Sequence, residues 1–321
     1  ENEHTNSIND FQEDNMIRTD LAMEAAENAG QIPGVSILND EVMPGLKRVR
    51  VTVETAEGEE AIGKKRGPYV TVAAPGLGQG DAELDEGCSR ALAEESQQMA
   101  GDAAGGSVLV VGLGNRQVTP DALGPAVCDA VFVTRHMHEY APDDIDERIG
   151  VVSAVAPGVL GITGIETGEI IGGVVDYLKP SLVIAVDSLA SRALERVRTT
   201  VQVADTGISP GAGIGNKRKA LDRESLGVPV LAVGVPLVVY ASTIAQELMD
   251  TALKQAPIDL RMNDKLQKVM SGLNDVDGAD LIVTPKEIDK VVHDLARIIS
   301  DALNIALHKN LTLEETRRYM H

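Results

Sequence analysis

Uninterrupted apolar runs mark the middle of this chain: Val108–Val111, Val151–Val155 and Leu182–Val186 carry almost no polar residue. Strands buried on both faces read this way, so these stretches predict parallel strands beneath helices, with further core strands at Thr200–Val203 and Val230–Gly234. Helical spacing separates them. Leu84, Cys88 and Leu92 form one stripe over Ala82–Met99, and Thr167–Leu178 reads as a helix between strands. The tail from Thr284 to His308 is amphipathic behind Thr284-Pro-Lys-Glu287, which has the pattern of a capping box with proline at the first helical position. Between Val35 and Ala74 the pattern changes to alternation, as in Val49-Arg-Val-Thr-Val53, with turn candidates at Pro44-Gly45 and Glu57-Gly58. That stretch predicts a small antiparallel hairpin region.

The expected fold is α/β, three-layered, with a mostly parallel central sheet, helices on both faces, and the antiparallel region near the N-terminus. A hairpin subregion at 30–80, a core at 105–250 and a C-terminal helix at 284–309 are its expected parts. Lys254–Asp277 lacks a strong period and is expected to be a variable surface element.

Composition narrows the class. A chain of 321 residues, 43% hydrophobic, can bury a large core, yet Phe11, Phe132, five tyrosines and no tryptophan leave the packing to Val, Ile, Leu and Ala. A formal charge of −20 argues against nucleic acid as a partner, since a DNA binder gains affinity by neutralising phosphates. Cys88 and Cys128 lack C-x-x-C spacing, which argues against a disulfide framework or a zinc site and fits a reducing compartment. No run has the length of a membrane span, and Glu1–Asn15 is polar and acidic, reading as a disordered arm rather than a signal peptide or anchor.

Chemistry is suggested first by Val108-Leu-Val-Val-Gly-Leu-Gly-Asn-Arg-Gln-Val-Thr-Pro-Asp-Ala-Leu-Gly-Pro125. Gly112 and Gly114 permit a sharp turn, Thr119 suits an N-cap, Pro120 the first helical position, and Asp121 the first turn. Taken alone, Asp121 could simply stabilise a helix start. The strand-Gly-x-Gly order resembles a dinucleotide fingerprint, but the third glycine is replaced by Gln117 and a carboxylate would repel a pyrophosphate, so no cofactor is expected. Asp187 ends a second apolar run, and two carboxylates at the carboxyl edge of one sheet could share a proton. Such a pair holds an acid and a base together and can activate water without metal. Arg192 follows Asp187 closely enough to hold it ionised.

Three other segments compete. Asp205-Thr-Gly207 spells the motif of pepsin-like proteases, but those are nearly all β; Asp205 can still line the same edge. Arg135-His-Met-His-Glu139 spaces two histidines as metal ligands on a strand would be, though placement on a loop favours structural or solvated roles over ligation. Asn216-Lys-Arg-Lys219 is a basic run in an acidic protein, either a solvated turn or a substrate-contacting loop carrying Lys217 and Arg218.

The segments Val110-Val-Gly-Leu-Gly-Asn115, Val118-Thr-Pro-Asp-Ala-Leu-Gly-Pro125, Val133-Thr-Arg-His136, Gly161-Ile-Thr-Gly-Ile-Glu-Thr167 and Gly213-Ile-Gly-Asn-Lys-Arg-Lys219 together resemble the germination proteases of spore-forming bacteria. Ile17-Arg-Thr-Asp-Leu-Ala22, Val283-Thr-Pro-Lys-Glu287 and Leu303-Asn-Ile-Ala-Leu-His308 extend the likeness to both ends. The resemblance implies an endopeptidase of the spore core cytoplasm that degrades small acid-soluble DNA-coating proteins, with catalytic aspartates at Asp121 and Asp187. It further implies a zymogen, with residues 1–15 as a propeptide cut between Asn15 and Met16, residues 16–321 as a single peptidase domain, and a homotetrameric assembly. Hydrogenase-maturation endopeptidases are similar in fold and hold nickel with acidic residues at these two places plus a later histidine. No histidine occurs between His138 and His293 here, which favours a metal-free pair. A metal-dependent maturation-type protease, or a scaffold without chemistry, is the alternative.

Overall fold

The computed structural model describes residues 19–30, 32–209, 220–255 and 281–320. Asn15, Met16, Lys217 and Arg218 lie outside these residues, as does Lys254–Asp277 beyond the end of the helix Ala241–Gln255.

Among the described residues nine strands form one sheet in the order β1-β2-β3-β7-β8-β6-β4-β5, with β9 pairing β8. They are β1 Val35–Met43, β2 Leu46–Val53, β3 Gly67–Ala73, β4 Ser107–Gly112, β5 Val151–Val155, β6 Leu182–Ala190, β7 Thr200–Ala204, β8 Val230–Tyr240 and β9 Ile282–Val283. β5, β4, β6 and β8 run parallel. The alternating N-terminal segment does form antiparallel strands, and these continue the same sheet, because β3 pairs antiparallel with β7 and β7 with β8.

The apolar runs of β4 and β6 have a direct cause. Val108, Val110, Leu182, Ile184 and Val186 enter a core shared with the helices Ala82–Ala100, Leu123–Ala130 and Ile288–Leu307. Leu109, Val111, Val183 and Ala185 point the other way, into a core with the helix Thr167–Leu178. Both faces are covered, so neither strand can alternate with polar residues.

Some expectations shift. Glu57-Gly58 is not a turn but lies in the helix Ala56–Ile62, because the Thr55 hydroxyl accepts the Gly58 N–H and caps it. Thr284 caps nothing. Its hydroxyl donates to the Leu237 carbonyl at 2.9 Å while Ile282 and Val283 pair with β8, and the helix begins only at Ile288. The histidine segment is a short helix, Arg135–Tyr140, rather than a loop.

Candidate active site

The turn after β4 is built by close approach. Gly114 has φ +105°, and a Cβ there would come within 2.0 Å of the Asp121 carbonyl oxygen. A side chain at Gly124 would meet Leu113 and Val186 backbone atoms at 2.4–2.5 Å, so only glycine lets the helix Leu123–Ala130 press against β4 and β6. Thr119 does not cap a helix, contrary to the sequence expectation; Thr119–Asp121 is a 3₁₀ turn without a side-chain cap, and the α-helix starts at Leu123. Asp121 instead folds back over the glycine turn, where its Oδ2 accepts the Asn115 N–H at 2.7 Å.

Asp187 is placed by register. Gly112, the last residue of β4, pairs with Val186, so Asp187 is the first β6 residue beyond the end of its neighbour. β6 itself continues to Ala190 against β8, which puts Asp187 inside the strand rather than at its end. The residue is buried, and its Oδ1 accepts the Ser188 N–H at 2.8 Å.

Asp121 and Asp187 line one cavity of about 370 Å³, at the low end of the roughly 300–1,000 Å³ usual for ligand sites. Its wall also includes Asp20, Lys64, Tyr69 and Gln202, none of which sequence reasoning singled out. Two of these arrive by long-range strand pairing: Tyr69 on β3 sits opposite Ala204 on β7, and Gln202 pairs with Gly234 on β8. The N-terminal segment is fastened to the same place. The Asp20 N–H donates to the Ala190 carbonyl at 3.0 Å, the Ala190 N–H returns a bond to the Asp20 carboxylate at 2.8 Å, and the buried Glu24 carboxylate accepts the N–H groups of Arg192 and Ala193. No local periodicity announces these contacts; the quoted Ile17-Arg-Thr-Asp20 motif was their one sequence trace.

Arg192 follows β6 and is not among the residues lining the cavity. Asp205 is exposed beside it, while its neighbours Ala204 and Thr206 form part of the wall. Burial dominates at Tyr69, pushing its hydroxyl up to about 12. At the rim, Lys65 pairs with Asp222, the residue that caps the helix Arg223–Leu226. His138 contacts the Ile149 carbonyl at 3.1 Å, a structural bond. Among the described residues no group of three or more His, Cys, Asp or Glu is disposed to hold a metal ion. No helix of the described residues is long and apolar enough to cross a membrane.

A family model described as germination protease matches residues 12–273 and 258–320. The germination protease of Caldanaerobacter subterraneus subsp. tengcongensis is 47% identical over 319 residues, covering 95% of this chain and 98% of the relative. That of Clostridium tetani is 43% identical over 323 residues, with 95% and 99% covered, and that of Bacillus subtilis 40% identical over 361 residues, with 95% and 97% covered. Among solved structures, a NiFe hydrogenase maturation protease from Thermococcus kodakarensis KOD1 aligns with a TM-score of 0.31 at 17% identity, covering 61% of this chain and 92% of that one.

Proposed function

This chain belongs to the germination protease family, and from that membership we propose that it is an endopeptidase that starts the breakdown of small acid-soluble DNA-binding proteins when a spore germinates. The chemistry rests on one observation: Asp121 and Asp187 share a single cavity at the carboxyl edge of the parallel strands. Two carboxyl groups in one small space cannot both ionise cheaply, so one is held protonated. The ionised aspartate accepts a proton from water as its oxygen bonds to the scissile carbonyl carbon. The protonated aspartate then donates to the departing amine as the carbon–nitrogen bond breaks. Atoms and charge balance over the cycle, with no metal in any step.

The enzyme is made as a zymogen that removes residues 1–15 by cutting between Asn15 and Met16, acts in the spore core cytoplasm, and assembles as a homotetramer. Arg192 supports Asp187, and Asp205, Lys217 and Arg218 contact substrate. To test the reading, full-length protein and protein starting at Met16 are incubated with a small acid-soluble spore protein, with and without chelator, and fragments are read by mass spectrometry. Chelator-resistant cutting by the shortened form, with full-length protein converting itself to that form, is expected. Cutting abolished by chelator would put a metal in the reaction and end the two-aspartate account.

A further inference from the structure

Lys64 is the feature of the cavity that the aspartate mechanism leaves unused. It follows Gly63, whose left-handed conformation ends the helix Ala56–Ile62 and turns the chain toward the cavity wall. Its ammonium is held by two main-chain oxygens, donating to the Thr19 carbonyl at 3.2 Å and the Asp20 carbonyl at 3.0 Å. A lysine ammonium carries three N–H groups, and the third has no partner among the described residues. Burial pulls its pKa below the ordinary lysine value, opposed by the charges of Asp20 and Glu24. Lys65 is engaged elsewhere, with Asp222. The result is a fixed cation with one N–H unspent, bordering the small space that a peptide must enter to reach Asp121 and Asp187.

We propose that Lys64 is a catalytic residue whose remaining N–H receives the scissile carbonyl oxygen. This rests on the two-aspartate reading above. As water's oxygen bonds to the carbonyl carbon, the π electron pair moves onto the carbonyl oxygen. The ammonium stabilises that charge without giving up its proton, and the pair returns when the amine leaves. A donor fixed before the reaction costs no reorganisation during it, which is why such groups stabilise transition states more than bound substrate.

The test uses protein starting at Met16, cutting a small acid-soluble spore protein. Lys64→Met and Lys64→Ala are expected to lower kcat by roughly 100-fold or more with KM changed less than about threefold, the size of effect seen when one oxyanion donor is lost. Ethylammonium, a free amine with N–H groups, restores Lys64→Ala several-fold, whereas tetramethylammonium, which has none, does not. Lys64→Arg keeps the charge and covers the case in which the shorter variants fail to fold. Among the described residues, the charges of Asp20 and Glu24 act on Lys64, and Lys65, Tyr69, Asp121 and Asp187 are the other titrating groups that line the same cavity. Loss of the lysine proton sets the alkaline limb of kcat, and because a guanidinium stays charged, Lys64→Arg moves that limb upward.

A kcat within threefold of the unaltered enzyme in folded Lys64→Met, a loss in Lys64→Ala that ethylammonium leaves unchanged, or an unmoved alkaline limb in Lys64→Arg overturns the role of Lys64. The two readings fail separately. Normal cutting by Asp187→Asn removes the aspartate mechanism; dependence on Asp187 with indifference to Lys64 removes only this inference.

Discussion

His308 makes the stability of this protein depend on pH in a window that can be worked out. It follows the helix Ile288–Leu307, is 1% exposed, and its ring lies 5.1 Å from that of Phe132, tilted by 52°. Its Nδ1 accepts the Gly150 N–H at 3.1 Å, which requires the neutral ring. Burial pulls its pKa down to about 4, assisted by the nearby His138 charge and opposed by the Phe132 backbone. In the unfolded chain the ring returns to about 6.5. The unfolded state therefore binds more protons between these values, so the folded state loses stability as pH falls from about 6.5 toward 4 and gains nothing more above that window. The loss from this residue is about 1.4 kcal/mol at pH 5.5 and about 2.6 kcal/mol at pH 4.5, relative to pH 8. Urea unfolding of the unaltered protein and His308→Gln at pH 8, 6.5, 5.5 and 4.5 isolates it, because carboxylate contributions cancel in the difference. The gap between the two proteins should narrow by those amounts as the solution is acidified. Parallel curves across the window would refute the assignment of a buried neutral ring.

Gly114→Ala should destabilise by about 2 kcal/mol or more, from the left-handed φ and the approach to Asp121, and should lower activity by displacing that aspartate; urea unfolding together with cleavage assays checks it, and an unaltered stability would contradict it. Burial lifts the thiols of Cys88 and Cys128 to about 12 and about 11, so a thiol reagent at pH 8 should label the native protein slowly and both residues at once in denaturant. Rapid labelling of the folded protein at either cysteine would show that its helix is not packed as described. Thr55→Ala should cost about 1 kcal/mol through loss of the cap on Ala56–Ile62, measured by the same urea method, and no change would mean the cap is not formed.

Legibility in the sequence followed the reach of the interactions. Thr167–Leu178 was readable end to end because a helix with one buried stripe declares its period locally, and β4 and β6 because burial on two faces leaves an unbroken apolar run. β8 was read only to Gly234; the strand runs on to Tyr240 through Pro236, and its pairing with β6 shifts register just after Leu189↔Pro236. Thr284 misled because its hydroxyl had a tertiary acceptor, Leu237, that no local pattern shows. Asp121 and Asp187 could be named because each follows an apolar run. Asp20 and Lys64 could not, because Asp20 is fixed by Ala190 and Lys64 by the Thr19 and Asp20 carbonyls, contacts that exist only once the sheet is assembled.

The two-aspartate chemistry is tested most directly by cleavage of a small acid-soluble spore protein by protein starting at Met16, alongside Asp121→Asn and Asp187→Asn, all in the presence of chelator and checked for native unfolding transitions. The account predicts cutting by the unaltered protein and at least a thousand-fold loss in each variant, since each aspartate is required in every turnover, about 4 kcal/mol of barrier or more. Either variant cutting at the unaltered rate while folded would contradict it.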